Sequence, residues 1–198
     1  MNNNKIDLEK YKRKRTFSGN TKDYRNQCEI ISDKPTAIEY MTAFIDDKEL
    51  SDHIKHTLEN DVPEYFWINP SSSSRKYHIN DEKSKFGLVL HTCRVVKVMV
   101  DLCISAQITG SDRDDLIVAA ILHDAIKYGI PGNHHTVSNH PNLVGEHLSI
   151  SDKVNNLIRT HSGQWFNPGE WADADEHQRL LHQADYIASR SYIHVRIP

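Results

Sequence analysis

The stretch LIVAAILHDAIKYG, residues 116–129, decides how the chain is read. At helical spacing Leu116, Ala120 and His123 share one stripe and Ile117, Ile121 and Asp124 the next, so an adjacent His and Asp are expected to face a helical core. An ionised carboxylate taken out of water costs several kcal/mol unless something pairs with it. A divalent cation shared with the histidine is one of the few partners strong enough. A helix-terminal Asp bonding the backbone would explain a lone His-Asp pair, but the same oddity recurs along the chain.

Working outward, SDRD at residues 111–114 reads as a capping-box-like start, and Gly129 with Pro131 as the stop. Upstream, Leu88, His91, Val95, Met99, Leu102 and Ala106 step by three and four, which predicts a long helix over about residues 86–106 with His91 on its apolar stripe. Downstream, His140 precedes a short helix near residues 143–148. Ser151 and Asp152 cap another, whose stripe of Val154, Leu157 and Ile158 ends in His161. A last helix, over about residues 174–190, puts Leu181, Asp185 and Ala188 on one face. Nearer the start, Pro35 opens an amphipathic pattern of Ile38, Met41, Phe44 and Ile45, and a second helix covers residues 50–58. Tyr65, Phe66 and Trp67, between Pro63 and Pro70, read as a packed loop or a single turn.

No strand-like alternation or internal repeat competes with these periods, so the expected fold is all-α, a single-domain helical bundle over residues 35–198. Residues 1–34 are polar, with Lys10, Lys12, Arg13, Lys14 and Arg15 close together, and read as a flexible basic arm. Such an arm is more often a solvated tail than a contact to nucleic acid, and the formal net charge of -3 gives the whole molecule no general attraction for a polyanion. Length (198 residues) and hydrophobic content (38%) fit one soluble domain, and no apolar window is long enough for a bilayer. Cys28, Cys93 and Cys103 are odd in number and lack C-x-x-C spacing; with no apolar leader after Met1, they point to reduced thiols and a cytoplasmic setting. Thirteen dispersed histidines point toward metal ligation or phosphate chemistry.

His91, His123, Asp124, His140, His161 and Asp185 are the inward or loop-poised groups, drawn from successive helices of one bundle. Mixed imidazole and carboxylate donors suit Mn, Fe, Ni, Co or Zn rather than Ca or a thiolate-bound structural Zn. Six protein ligands exceed what one catalytic ion with open positions needs, so two ions bridged by Asp124 is the economical arrangement. The serine-rich lead-in SSSSRKYH, residues 71–78, has a linker's composition but also what phosphate loops are made from, with Arg75 and Lys76 as candidate phosphate contacts. His78 would be a further ligand or a proton donor, and Trp165 a surface for a base to stack on.

The order His91, then His123 and Asp124, then Asp185 resembles the HD-domain superfamily of metal-dependent phosphohydrolases over about residues 71–191. Lys127, three residues after Asp124, fits the His-Asp-x-x-Lys version. The motif His140-Pro-x-x-x-Gly145 followed by His161 looks like the stretch that carries the added ligands of binuclear members, including the HD-GYP phosphodiesterases. Gly-Tyr-Pro itself is absent, with Ser162 to Trp165 in its place, which argues against cyclic di-GMP as substrate. The resemblance implies that His91, His123, Asp124 and Asp185 hold one ion and Asp124, His140 and His161 the other, with Lys127 stabilising phosphoryl charge. The activity it implies is hydrolysis of a nucleotide phosphoester, mono-, tri- or cyclic. The rivals are a nuclease acting on nucleic-acid ends through the basic arm and, last, a non-catalytic nucleotide-binding module.

Overall fold

The computed structural model describes residues 31, 33–72, 78, 81–83, 85–165, 168–195 and 197. Every regular element among them is helical. The helices are α1 (Lys34–Thr42), α2 (Lys48–Asn60), α3 (Tyr65–Ile68), α4 (Gly87–Ser105), α5 (Gly110–Leu122), α6 (His140–His147), α7 (Asp152–Arg159), α8 (Pro168–Ala172) and α9 (Glu176–Ala188). Two 3-10 turns, Asp81–Lys83 and Gly163–Trp165, precede α4 and α8. The all-α expectation holds, and no described helix is long and apolar enough to cross a membrane.

Local chemistry accounts for the helix starts. Asp33 accepts from the Thr36 amide at 2.8 Å with Pro35 in the first turn of α1, Asp47 accepts from the Leu50 amide at 3.0 Å, and Ser151 accepts from the Val154 amide at 3.2 Å. Such a cap contributes about 1 kcal/mol. Asp175 and Gln178 form a reciprocal capping box at the head of α9, both bonds at 2.8 Å. Ile31, upstream of the first cap, is already buried in the core.

The core is laid down by α4, α5 and α9, which pack on one another, with α7 against α5, α6 and α9. Residues 116–122 of α5 are buried on every side, so this helix runs through the middle of the molecule. Leu88, Val95 and Met99 of α4 and Leu181, Ala184 and Ala188 of α9 complete the apolar interior. Phe66 and Trp67 are buried on the single turn of α3.

Two local expectations are corrected. SDRD at residues 111–114 does not cap α5, which starts a residue earlier at Gly110 behind Thr109 with no side-chain cap bond. Asp114 is instead buried and accepts from the Asp46 and Asp47 amides at 3.0 and 2.9 Å, tying the α1–α2 turn to α5. Bonds of this kind, to a charged acceptor, contribute about 1.5–3 kcal/mol each. The second correction is the stop: α5 ends at Leu122, not Gly129. Tight i+3 bonds follow, from the Ala125, Lys127 and Gly129 amides to the Leu122, Asp124 and Ile126 carbonyls, and Gly129 takes a positive φ of 78°. His123 and Asp124 therefore stand on a turn after the central helix.

Candidate metal centre

The six ligand candidates come together around the Asp124 carboxylate. His91 comes from inside α4 and Asp185 from inside α9, His123 and Asp124 follow α5, His140 opens α6, and His161 lies two residues past the end of α7. All but Asp185 are buried; its side chain is 26% exposed, which puts the open edge of the cluster beside α9.

The two Asp124 oxygens face different partners. Oδ1 lies 3.1 Å from His140 Nε2 and 3.7 Å from His161 Nε2, which are themselves 3.2 Å apart. Oδ2 lies 3.4 Å from His123 Nε2 and 4.0 Å from His91 Nε2, and His91 Nε2 is 3.0 Å from Asp185 Oδ1. Two groups within reach of a common ion result: His91, His123 and Asp185, and Asp124, His140 and His161.

Three of the four imidazoles are oriented the same way. His123, His140 and His161 each turn Nδ1 to the backbone carbonyl three residues earlier, Ala120, Val137 and Ile158, at 2.8–2.9 Å. That hydrogen bond fixes Nδ1 as the protonated nitrogen and leaves Nε2 as the lone-pair donor toward Asp124. Such carbonyls have a lone pair to spare because they sit at helix ends and turns.

Lys127 reaches back from the same turn, with Nζ 2.5 Å from Asp124 Oδ2 and a side chain only 13% exposed. Charges inside the cluster outweigh burial. Burial opposes ionisation of Asp124, but Lys127 and His123 hold its carboxyl well below the usual range. Burial likewise opposes a charged Lys127, yet Asp124 and Asp185 raise its pKa. His91 is desolvated too, but the Asp185 and Glu82 carboxylates lift it to about 9. Asp185 is partly desolvated, which opposes its ionisation, but His91 holds its carboxyl low. Burial dominates at His161, whose pKa is lowered.

Donor chemistry provides a test of fit to a cation. The Nε2 atoms of His91 and His123 are buried and make no hydrogen bond, although carboxylate oxygens stand 3.0–4.0 Å away. Buried polar atoms without a partner are rare, and these two point at one carboxylate cluster. A divalent ion would satisfy both, so the residues present fit it.

The remaining candidates are placed unevenly. His78 is buried, with Nδ1 2.6 Å from Glu82 and its ring edge-on to His91 at 4.9 Å between centroids. Trp165 is 85% exposed on the 3-10 turn that follows His161. Arg75 and Lys76 lie outside the described residues, as do the basic cluster of residues 10–15 and Cys28. Cys93 and Cys103 are free and buried. Sequence reasoning missed Glu82, fully buried between His78, His91 and Arg94. Its signal was faint: in the run DEK it resembles part of a solvated charged turn.

The family model described as the HD domain matches residues 88–190, just over half of the chain and every one of the six candidates. The chain belongs to the HD-domain family. No curated protein and no solved structure matches it. HD domains are generally metal-dependent hydrolases that bind divalent ions, and this one has His and Asp clusters able to do so.

Proposed function

We propose that this HD domain is a phosphohydrolase that holds two divalent transition-metal ions and cleaves a phosphoester of a small nucleotide, mono-, tri- or cyclic. The observation that carries the reading is the division of labour at Asp124, with one oxygen toward His91 and His123 and the other toward His140 and His161. His91, His123, Asp124 and Asp185 would hold one ion, and Asp124, His140 and His161 the other. When bound, such a pair neutralises phosphoryl oxygens and lowers the pKa of water toward neutrality.

The chain's own groups prepare the rest. Backbone-anchored histidines keep their lone pairs converging, which avoids reorganisation when a charged substrate arrives. Lys127, paired with Asp124 and beside the exposed edge at Asp185, can turn its ammonium to a phosphoryl oxygen while staying in a nearly dry site. Trp165, exposed just past His161, offers a face on which a base can stack. Arg75 and Lys76 are proposed to hold a further phosphate. The setting that fits this chemistry and the reduced thiols is the cytoplasm.

The test is phosphate release by the metal-loaded protein across a panel of nucleoside monophosphates, triphosphates and cyclic nucleotides. Turnover of a small nucleotide that is nearly independent of salt is the expected result. Activity confined to oligonucleotides and falling steeply with salt would transfer the same centre to nucleic-acid ends. No turnover of any of them after full metal loading would leave a binding module.

A further inference from the structure

His91 is the one histidine of the centre that the backbone does not orient. It lies inside α4, where carbonyls serve the helix, and the carbonyl three residues earlier, Leu88, also accepts the Thr92 hydroxyl at 3.0 Å. The solution that serves His123, His140 and His161 is thus closed to it. Its Nδ1 is buried and makes no hydrogen bond; what faces it instead is Glu82 Oε2, at 3.5 Å. We propose that Glu82 is a positioning residue that aims His91 at the metal centre, replacing the backbone carbonyl that orients the other three histidines. The inference rests on the reading of His91 as a metal ligand.

Glu82 is itself held rigidly. Its Oε2 takes His78 Nδ1 at 2.6 Å, its Oε1 takes the Arg94 guanidinium, and its carbonyl accepts both the amide and the hydroxyl of Ser71 at 2.9 and 3.1 Å. The carbonyl also leaves no room at Gly87, where an added Cβ would come within 2.0 Å of it. A buried carboxylate fixed at backbone and side chain can set the tilt of the ring beside it, as an outer partner of a metal-bound histidine does.

His78, Glu82 and His91 also present donor atoms close enough to share an ion. Arg94 argues against a separate cation there: its guanidinium already occupies Oε1, and a second cation beside it would be repelled. The cluster is therefore an extension of the centre, with His78 and Arg94 holding Glu82 and the Glu82 carboxylate facing His91.

Calorimetric titration of the metal-free full chain with Mn²⁺, and the visible absorption of the Co²⁺-loaded protein, test this. His91→Ala first identifies which binding step depends on His91. Glu82→Gln should weaken that step by about 10–100-fold and alter its Co²⁺ spectrum, while any step that survives His91→Ala stays unchanged. Glu82→Asp keeps the charge opposite Arg94, and with it the fold, but draws the carboxylate back from His91; it should weaken the same step. Unchanged binding in both Glu82 variants would overturn the proposal. Equal weakening of every step would make Glu82 merely structural, and loss of an additional ion that His91→Ala retains would make it a ligand of its own site. If His91→Ala removes no step, it is the reading of His91 that fails.

Discussion

The two sides of the Asp124 carboxylate are built on different terms. On the Oδ2 side, His91 and Asp185 project from the interiors of long helices and Lys127 adds a cation, so the side chains compensate one another's charge. On the Oδ1 side, among the described residues, stand His140 and His161, at helix ends and each anchored to a backbone carbonyl. The first half mixes both: His123 sits on the turn and is anchored to the Ala120 carbonyl, but His91 and Asp185 take their precision from rigid helices, and the His91 ring is left to a buried carboxylate, Glu82. The second takes its precision from turn geometry, which supplies the orienting carbonyl within three residues. Among the described residues Asp124 is the only group the halves share, and it stands on the turn after α5, not within the helix.

The largest expected effect comes from removing that shared group. Asp124→Ala should abolish phosphate release and metal retention together, with the far-ultraviolet circular dichroism of the helical fold preserved, because the buried run of residues 116–122 ends before the substituted position. Activity surviving with added metal would mean that the halves do not depend on a common carboxylate.

Breaking one half at a time is the next test. Elemental analysis of protein loaded with Mn or Fe should find about two ions per chain in the wild type. His91→Ala and His140→Ala should each leave about one, since each removes a donor from one group only. A wild type with at most one ion would reduce the centre to the Oδ2 side or the Oδ1 side alone, leaving the other histidines for substrate or structure.

Lys127 gives a smaller effect that separates catalysis from metal binding. Deleting a cation from a charge-assisted phosphate contact costs about 1.5–3 kcal/mol, so Lys127→Ala should lower kcat/KM by about tenfold or more. Metal occupancy should hold, because the substitution frees Asp124 Oδ2 from its nearest competitor. Loss of ions in this variant would show that Lys127 serves only to keep the carboxylate in place.

Most of this arrangement was legible in the sequence wherever the polar residue interrupts an apolar helical period. His91, His161 and Asp185 each end or break such a stripe, and the structure brings them beside His123 and Asp124. What escaped reading was set by turns. Periodicity extends a helix until a breaker appears and so reaches Gly129, whereas the chain tightens into i+3 bonds after Leu122, a change that side-chain spacing does not register. Asp114 looked like a capping residue because composition cannot tell an exposed cap from a buried staple to a distant turn. Glu82 was silent for the same reason: its partners His91 and Arg94 lie on another element, and only tertiary contact turns a charged turn residue into a buried anchor.

The smallest effect concerns the exposed aromatic that follows His161. Trp165 is 85% exposed on the 3-10 turn beginning two residues after His161, so it contributes little to the core and Trp165→Ala should leave the melting temperature nearly unchanged. An aromatic face that stacks on a base contributes about 1–3 kcal/mol by alanine substitution, sequence-tolerantly, because every base has a π-face. A substrate with a base on that side should therefore bind about tenfold more weakly to Trp165→Ala, with KM raised and kcat retained, since stacking far from the cleaved bond is felt equally in ground and transition states. Steady-state kinetics of the variant with a nucleotide and with a phosphoester lacking a base would decide. A KM penalty for the nucleotide alone places the base against the His140 and His161 half; the same penalty for both substrates, or none for either, removes Trp165 from recognition and leaves that half to the metal alone.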